Sequence, residues 1–355
     1  MDQNLQSNRI NGLFWVMLAA VATAAVCLVS VLSLPVPDVE PELFELYAAM
    51  ARFDTLVLKI VLLIPLLCVT PALWARSAWR LHPMALAGLT LFVFAFGALL
   101  THNALQGLYL VGLLAPSGIL LYGMQRWKLS NFKVVFYGSI LLLFGLFIYV
   151  CLPSYFAYGD AFLPLRNAIT DYRIVFEQTA AELSAIDVNG LLRPMIESVS
   201  EATLAMKLDA DQYLVAYLYY PAAIATLSNA LLSYLWNRKG GAQLIPLRPF
   251  SDWMVDSQYV IGVVLLSILS YILVFSGVSF GSGLVRIAYV LWMLPMGLLG
   301  LCTVKKWTAS KPWIFILVCV VCGLLFQTAM QFLPIVGMFG YFWDRMRRRS
   351  QGGNV

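Results

Sequence analysis

The histidines and cysteines are the residues of this sequence whose type and spacing could do metal or redox chemistry. Only two histidines occur, His82 and His102, whereas a zinc site needs three or four nitrogen, sulfur or carboxylate ligands. Cys319 and Cys322 have the C-x-x-C spacing of redox and metal sites. They fall inside an apolar run, where small cysteines usually serve packing. We therefore expect no metal site and no redox centre.

Motifs for energy-coupled chemistry and for zinc proteolysis are missing. The sequence contains no G-x-x-x-x-G-K-[ST] phosphate loop and no H-E-x-x-H motif. No acid–base pair suited to catalysis is expected at membrane depth. The basic loops are short and lack interleaved aromatic residues, which argues against nucleic-acid binding. We expect a protein that is not an enzyme, with no catalytic residue and no cofactor, and that depends on another chain for any use of ATP.

Polar residues in or beside apolar runs are the remaining candidates, because a polar side chain is costly in lipid. His102, Asn103 and Gln106 cluster between two apolar runs, where they would line a ligand pocket or hydrogen-bond exposed backbone. Arg286 and Lys59 lie near the ends of other runs, where a long stem lets the charge reach the interface. We take His102, Asn103, Gln106 and Arg286 as the ligand-binding candidates.

Composition sets the environment in which these residues act. Of the 355 residues, 61% are hydrophobic and 12% are charged, against about 45–50% and about 25% in soluble domains. This excludes an ordinary soluble domain and a disordered chain. Nine apolar stretches are long enough to cross the roughly 30 Å hydrocarbon core as helices. They are Leu13–Leu34, Leu56–Ala75, Met84–Thr101, Ala104–Met124, Val134–Leu152, Gln212–Trp236, Tyr259–Gly277, Leu284–Val304 and Trp313–Phe332.

The charges of the short loops orient the chain by the positive-inside rule. Basic residues recur on every second loop, whereas the intervening loops are nearly free of them. They are Arg9, then Arg76 and Arg80, then Arg126, Lys128 and Lys133, then Arg238, Lys239 and Arg248, then Lys305, Lys306 and Lys311. We expect a multi-pass protein of the bacterial cytoplasmic membrane, surrounded by the lipid bilayer, with a cytoplasmic N-terminus.

The last apolar stretch, from Trp313 to Trp343, conflicts with a count of nine spans. Nine crossings would leave Arg345 and the basic residues after it outside, contrary to the rule. The stretch is interrupted by Pro334 and is too long for one straight span and short for two. We interpret it as a span followed by a short return segment. A single tilted helix with an external basic tail is the alternative.

The segment 153–211 is polar and has nine acidic residues against four basic ones. Apolar residues recur at three-to-four spacing from Phe162 to Leu183 and from Leu192 to Met206, with a turn signal at Asn189-Gly190 between them. This pattern predicts an external amphipathic helical hairpin, which either caps a cavity or only covers apolar surface.

The predicted fold class is therefore all-α, a polytopic transmembrane helix bundle of nine to ten spans with an external amphipathic helical hairpin. Its predicted parts are a five-span N-terminal half at 1–152, the hairpin at 153–211, a four- or five-span C-terminal half at 212–344 and a basic tail at 345–355. Ala20 and Ala24 give the first span a small-sided face that lets another helix approach closely. That helix could belong to this chain or to a partner subunit.

The order of these features resembles the YybS-like predicted bacterial membrane proteins, a family of uncharacterised function. The resemblance is carried by five marks beside the acidic insertion: Leu62–Pro65, Pro116-Ser117-Gly118 with Gly123, Tyr220-Pro221 and the run to Trp236, Leu247-Arg248-Pro249-Phe250, and Gly337–Arg345. That family is similar in outline to the substrate-binding subunits of energy-coupling-factor vitamin transporters, which dock their partner through an Ala-x-x-x-Ala face. Ala20 and Ala24 match that face.

Two functions remain open. The first is a small-molecule binding or transport subunit that works with other membrane subunits carrying the ATPase. The second is a non-catalytic scaffold or assembly factor of the cell envelope, which the scarcity of buried polar groups and the basic loops would suit. An intramembrane enzyme would need an acid–base pair or nucleophile at membrane depth.

Overall fold

A computed structural model describes residues 2–37, 40, 43–124, 131–186, 193–208, 210–238, 253, 255–277, 281–324 and 326–350. The structure is 90% helical, and no strand occurs among these residues, which confirms the all-α class. The helices are α1 (Asp2–Val31), α2 (Phe44–Arg80), α3 (Met84–Thr101), α4 (Ala104–Gly123), α5 (Asn131–Tyr158), α6 (Leu163–Ile186), α7 (Arg193–Leu208), α8 (Ala210–Arg238), α9 (Ser257–Phe275), α10 (Gly281–Trp307), α11 (Pro312–Leu324) and α12 (Phe326–Ser350). The predicted turn Asn189-Gly190, the loop residues Arg126, Lys128, Lys239 and Arg248, and the family mark at 247–250 lie outside the described residues.

Seven helices in the described part of the chain are long and apolar enough to cross a membrane, which confirms a polytopic helix bundle. They cover Asn11–Val31, Leu43–Arg80, Met84–Thr101, Ala104–Gly123, Lys133–Tyr158, Ser257–Phe275 and Leu284–Trp307. Each overlaps a predicted span. The predicted span Gln212–Trp236 lies in α8, which is 29 residues long. Among the described residues of that helix, Pro221–Ser233 forms a shorter apolar stretch.

The last apolar stretch divides into two helices at a different position from the one predicted. We expected a span at Trp313–Phe332 and a break near Pro334, whereas α11 ends at Leu324 and α12 runs on through Pro334. The 13 residues of α11 give a helix of about 20 Å, too short to cross the hydrocarbon core. Pro334 remains inside a helix because α12 packs on α10, with Gly297 facing the proline ring. Neighbouring helices compensate for a proline in this way in membrane proteins.

Contacts between residues divide the chain into two compact units, described separately here. The first holds residues 1–128 and 134–244, with α1 to α4, nearly all of α5, and α6 to α8. The second holds residues 129–133 and 245–355, with α9 to α12.

The helix α2 is the centre of the first unit and contacts α1, α3, α4, α6 and α8. Its Trp74 is fully buried, and the indole Nε1 donates a hydrogen bond of 2.9 Å to Thr23 Oγ1 of α1. Ala19 lies one turn before Thr23 and is also fully buried. The small residues of α1 therefore allow close packing on α2 of the same chain.

A buried amide joins α8 to α2. Asn229 is 1% exposed, and its Nδ2 donates to the carbonyl oxygens of Leu67 at 2.6 Å and Ala225 at 2.7 Å. Its Oδ1 accepts a hydrogen bond of 2.9 Å from the backbone N–H of Ala72. Asn229 thus links two helices, the role expected of an amide at membrane depth.

The two helices expected in the acidic segment are present as α6 and α7, and they contact each other. α6 docks on the first turns of α2, which begins at Phe44, well before the predicted span Leu56–Ala75. Arg52 of α2 donates to both carboxylate oxygens of Asp171 in α6, at 2.9 and 2.7 Å. Asp171 is buried, so this face of α6 is not the purely apolar one that the spacing predicts.

The two ends of the first unit differ in the charged residues that they carry. The hairpin end is the one where Arg52 meets Asp171 of α6. The basic end is the opposite end of α2, which carries Arg76 and Arg80.

In the second unit, α10 and α12 run parallel and in close contact. Gly300 faces Leu333 and Gly337, Thr303 faces Gly340, and Lys306 forms an ion pair with Asp344. Higher residue numbers on one helix thus meet higher numbers on the other. A Cβ atom added at Gly300 or Gly337 would collide with backbone carbonyls of the facing helix. Glycine therefore fixes the closest approach of these helices.

Candidate functional site

The hairpin end of the first unit contains a cavity of about 860 Å³. Its walls come from the end of α1, from α2, from the α3–α4 turn, from the last turns of α5 and from the start of α6. The lining residues with polar groups are Ser30, Lys59, Thr101, Asn103, Gln106, Tyr109, Tyr149, Ser154 and Tyr158. Aromatic and aliphatic side chains supply the rest. This combination of apolar walls with a few convergent polar groups is typical of small-molecule sites.

Lys59 is the one charged residue among the described residues that line the cavity. It is half-buried on α2, three turns before Pro71. The sequence favours a lysine whose stem reaches the membrane interface. The structure also places Lys59 in a wall of the cavity, where it adjoins the space open to a bound molecule.

Two of the predicted ligand-binding residues, Asn103 and Gln106, line this cavity. Asn103 also caps α4, since its Oδ1 accepts a hydrogen bond of 2.9 Å from the N–H of Leu105. His102 ends α3 in the left-handed conformation, with a φ of 53°, and is exposed. Asn103 therefore fits both interpretations of this turn, backbone capping and a pocket wall.

One wall of the cavity adjoins a turn organised by Asp160. Ser154, which lines the cavity, donates a hydrogen bond of 2.9 Å from its Oγ to the carbonyl oxygen of Asp160. The Asp160 carboxylate accepts from the N–H of Phe162 at 2.9 Å and pairs with Arg166. The hydrogen bond from Phe162, and then Arg166, lowers the pKa of Asp160 below its ordinary value. The turn fixes the direction in which the chain leaves α5 and enters α6.

The remaining predicted residues lie elsewhere. Arg286 is half-buried on α10, in the second unit. Ala20 packs against the buried core of the first unit, and Ala24 is half-buried on the same helix. A role of Ala20 and Ala24 in binding a partner stays a prediction.

Arg76 forms a second polar feature, at the basic end. It is 5% exposed and lies inside α2, although the sequence places it in a loop. Its guanidinium carbon is 5.2 Å from the centroid of the Trp15 ring, and Trp15 packs against Trp236 at 5.2 Å. An aromatic face of this kind stabilises a cation that has been removed from water.

Sequence reasoning missed most of the polar residues of the cavity, among them three from α5, and one catalytic pattern. Tyr149, Ser154 and Tyr158 come from α5, about 50 residues from the α3–α4 turn, and spacing alone does not show that they meet it. The residues from Gly277 to Gly281 match the G-x-S-x-G pattern of serine hydrolases. In those enzymes the serine lies between a strand and a helix, whereas here the pattern connects α9 to α10. Ser279 itself lies outside the described residues.

Metal binding has no support in the described residues. No group of three or more His, Cys, Asp or Glu side chains in that part of the chain could hold a metal ion.

Comparison with known proteins gives a family and no relative of known function. Residues 55–340 match the model of a family described as predicted membrane protein (DUF2232). No curated protein and no solved structure matches the chain. The match runs from the cavity-lining part of α2 to α12 and covers about four fifths of the sequence. The chain therefore belongs to this family of predicted membrane proteins.

Proposed function

We propose that the protein binds a small molecule in the cavity at the hairpin end and acts as a non-enzymatic binding or transport subunit. The observation that carries this proposal is the cavity itself. Its volume of about 860 Å³ falls within the roughly 300–1,000 Å³ typical of ligand pockets. Asn103, Gln106 and Tyr109 provide hydrogen-bonding groups in its wall, and such groups fix the orientation of a ligand.

We further propose that the cavity opens to the outside of a bacterial cytoplasmic membrane. The support is the charge bias of the first unit, because Arg76 and Arg80 lie at the end of α2 opposite the cavity. Cytoplasmic loops are enriched in Lys and Arg. The cavity would then receive its ligand from the external side, with the N-terminus in the cytoplasm.

Other subunits complete the proposed assembly. The sequence lacks a phosphate loop, so energy for transport would come from a separate ATPase. The resemblance to YybS-like proteins, and through them to the substrate-binding subunits of energy-coupling-factor transporters, agrees with this arrangement. Ala20 and Ala24 on α1 would contribute to the surface for such a partner.

The test is purification of the tagged protein from its native membranes in mild detergent. Mass spectrometry would then identify the small molecules and proteins that remain bound. Ala157→Trp places a bulky indole in the cavity and obstructs part of it, since Ala157 is an exposed residue of its wall. Ala95→Trp is the matched control, because Ala95 is exposed on α3 outside the cavity.

We expect a small molecule that is recovered with wild type and with Ala95→Trp and is lost with Ala157→Trp. Equal recovery from all three proteins, or no bound molecule in any of them, would overturn the proposal. Recovery of envelope-synthesis proteins without a small molecule would favour a scaffold instead.

A further inference from the structure

We propose that the molecule bound in the cavity is an organic anion whose negative charge is neutralised by Lys59. The inference rests on the proposed function and adds the chemical class of the ligand. It comes from the charges around the cavity and from the shape of its lining.

Lys59 is a cationic residue in a setting that favours a counter-charge. Lys59 is half-buried on a helix that spans the membrane, next to apolar and aromatic walls. A cation removed from water is costly unless it is paired. A ligand anion would satisfy it and gain a charge-assisted hydrogen bond.

The carboxylates near the hairpin end either pair with an arginine or lie on a different side of α2 from Lys59. Asp171 is bound by Arg52, and Asp160 is bound by Arg166. Asp54 precedes Lys59 by five residues on α2, which places it about 140° around the helix axis. No described carboxylate lies within ion-pair distance of Lys59.

The remaining lining residues indicate the chemical character of the rest of the ligand. Tyr149, Phe156 and Tyr158 of α5 give aromatic walls, and Val150 and Pro153 add aliphatic surface. An apolar or aromatic body would bury its surface there. The ligand class is therefore an amphipathic anion, with a carboxylate or phosphate head at Lys59 and an apolar body against α5. A soluble metabolite or the head group of an anionic lipid could supply this chemistry.

The experiment compares the molecules that co-purify with wild type and four variants, all isolated in the same detergent. Lys59→Met removes the charge, Lys59→Arg keeps it, and Ala157→Trp obstructs part of the cavity. Lys311→Met is the matched control, an exposed lysine at the start of α11. Lys59→Gln serves as a second charge-free variant if Lys59→Met is not recovered folded. Mass spectrometry of the aqueous and organic phases distinguishes a soluble anion from a lipid.

We expect a negatively charged molecule that is enriched over Ala157→Trp and retained by Lys59→Arg and Lys311→Met. Lys59→Met should reduce its recovery by at least about tenfold, the effect of losing one charge-assisted contact. A neutral or cationic molecule, or an anion retained by Lys59→Met, would overturn this inference and leave the proposed function standing. If no molecule is enriched over Ala157→Trp, the proposed function fails, and the inference fails with it.

Discussion

The side chain of Asn229 on α8 takes the place of the backbone hydrogen bond that Pro71 removes from α2. In a regular helix, the N–H of residue 71 would donate to the carbonyl oxygen of Leu67, but proline has no N–H. Asn229 Nδ2 donates to that oxygen instead, and its Oδ1 accepts from Ala72, the next residue after the proline. These two hydrogen bonds of Asn229 therefore allow a proline inside a long membrane helix.

Replacing Asn229 should destabilise the protein because it leaves buried backbone groups without partners. We expect Asn229→Ala to cost about 1–3 kcal/mol, measured as a fall in the thermal unfolding midpoint in detergent. In a Pro71→Ala background residue 71 again has an N–H for Leu67, so Asn229→Ala should cost less. An equal cost in both backgrounds would show that Asn229 does not compensate for Pro71.

The contact between Arg52 and Asp171 should hold α6 on α2. Arg52→Gln leaves the buried carboxylate of Asp171 without its bidentate partner. We expect faster hydrogen exchange across α6 and a loss of about 1–2 kcal/mol, since hydrogen bonds to charged groups contribute more than neutral ones. The lower part of that range is expected because the Arg52 side chain is 57% exposed.

The matched control for this contact lies on α6 itself. Arg173 pairs with Glu177 one turn later, and neither side chain is buried, with exposed fractions of 39% and 50%. Arg173→Gln should change stability by less than about 0.5 kcal/mol. If both substitutions speed the exchange of α6 equally, the Arg52–Asp171 contact has no special role in docking.

Glycines at the interface of α10 and α12 should not tolerate a methyl group. Gly300→Ala and Gly337→Ala each place a Cβ against a backbone carbonyl of the facing helix, so we expect losses of about 1–3 kcal/mol from overpacking. Gly262→Ala on α9 is the control, because nothing lies within 4 Å of its Cβ. There alanine should be neutral or stabilising by up to about 1 kcal/mol, through its higher helix propensity. Equal unfolding midpoints for the three variants would contradict the close packing of α10 on α12.

The ionised form of Asp160 should stabilise the turn between α5 and α6. Its pKa is lowered by Phe162 and Arg166, so its contribution is complete above about pH 4 and is lost as the pH falls through the folded-state pKa. We expect the wild type to unfold at a higher temperature than Asp160→Asn at pH 7, and this difference to shrink below about pH 4. Ser154→Ala removes a contact of the same turn that does not titrate, so its effect should not change with pH in that range. A difference that grows in acid would contradict the assignment.

The loop after α10 and the C-terminal basic residues should lie on the same side of the membrane. α12 runs parallel to α10, and Lys306 near the end of one meets Asp344 near the end of the other. In a variant whose six native cysteines are replaced by serine or alanine, cysteines introduced one at a time at Ser310 and at Arg347 should react alike with a membrane-impermeant maleimide in intact cells. Reaction of one and protection of the other would show that α12 does not return alongside α10.

Hydropathy located most of the membrane helices because apolar length is a local property of the chain. The bounds of α3 agree with the prediction, and α4 differs by one residue at its end. The error at the C-terminus has a physical reason. Pro334 predicts a break in an isolated helix, but the glycines of α10 bring a second helix close enough to keep α12 intact.

The candidate site was predictable in part, on the side formed by neighbouring residues. Asn103 and Gln106 lie within one turn of each other, and their polarity beside apolar runs is visible in the sequence. Lys59 and Tyr149 reach the same cavity from α2 and α5, and that meeting depends on helix packing, which spacing does not encode. For the same reason, the start of α2 at Phe44 could not be predicted from hydropathy, because the first turns of α2 pack against α6, which is distant in the sequence.

Because α2 is long, a small bend at Pro71 would produce a large displacement at the hairpin end. From Phe44 to Pro71 the helix runs about 40 Å, so a bend of about 10° at the proline swings its first turn through about 7 Å. Lys59 lies on this part of α2, between Arg52 and Pro71. A change of angle at Pro71 would therefore move both Lys59 in the cavity wall and the Arg52 contact that holds α6.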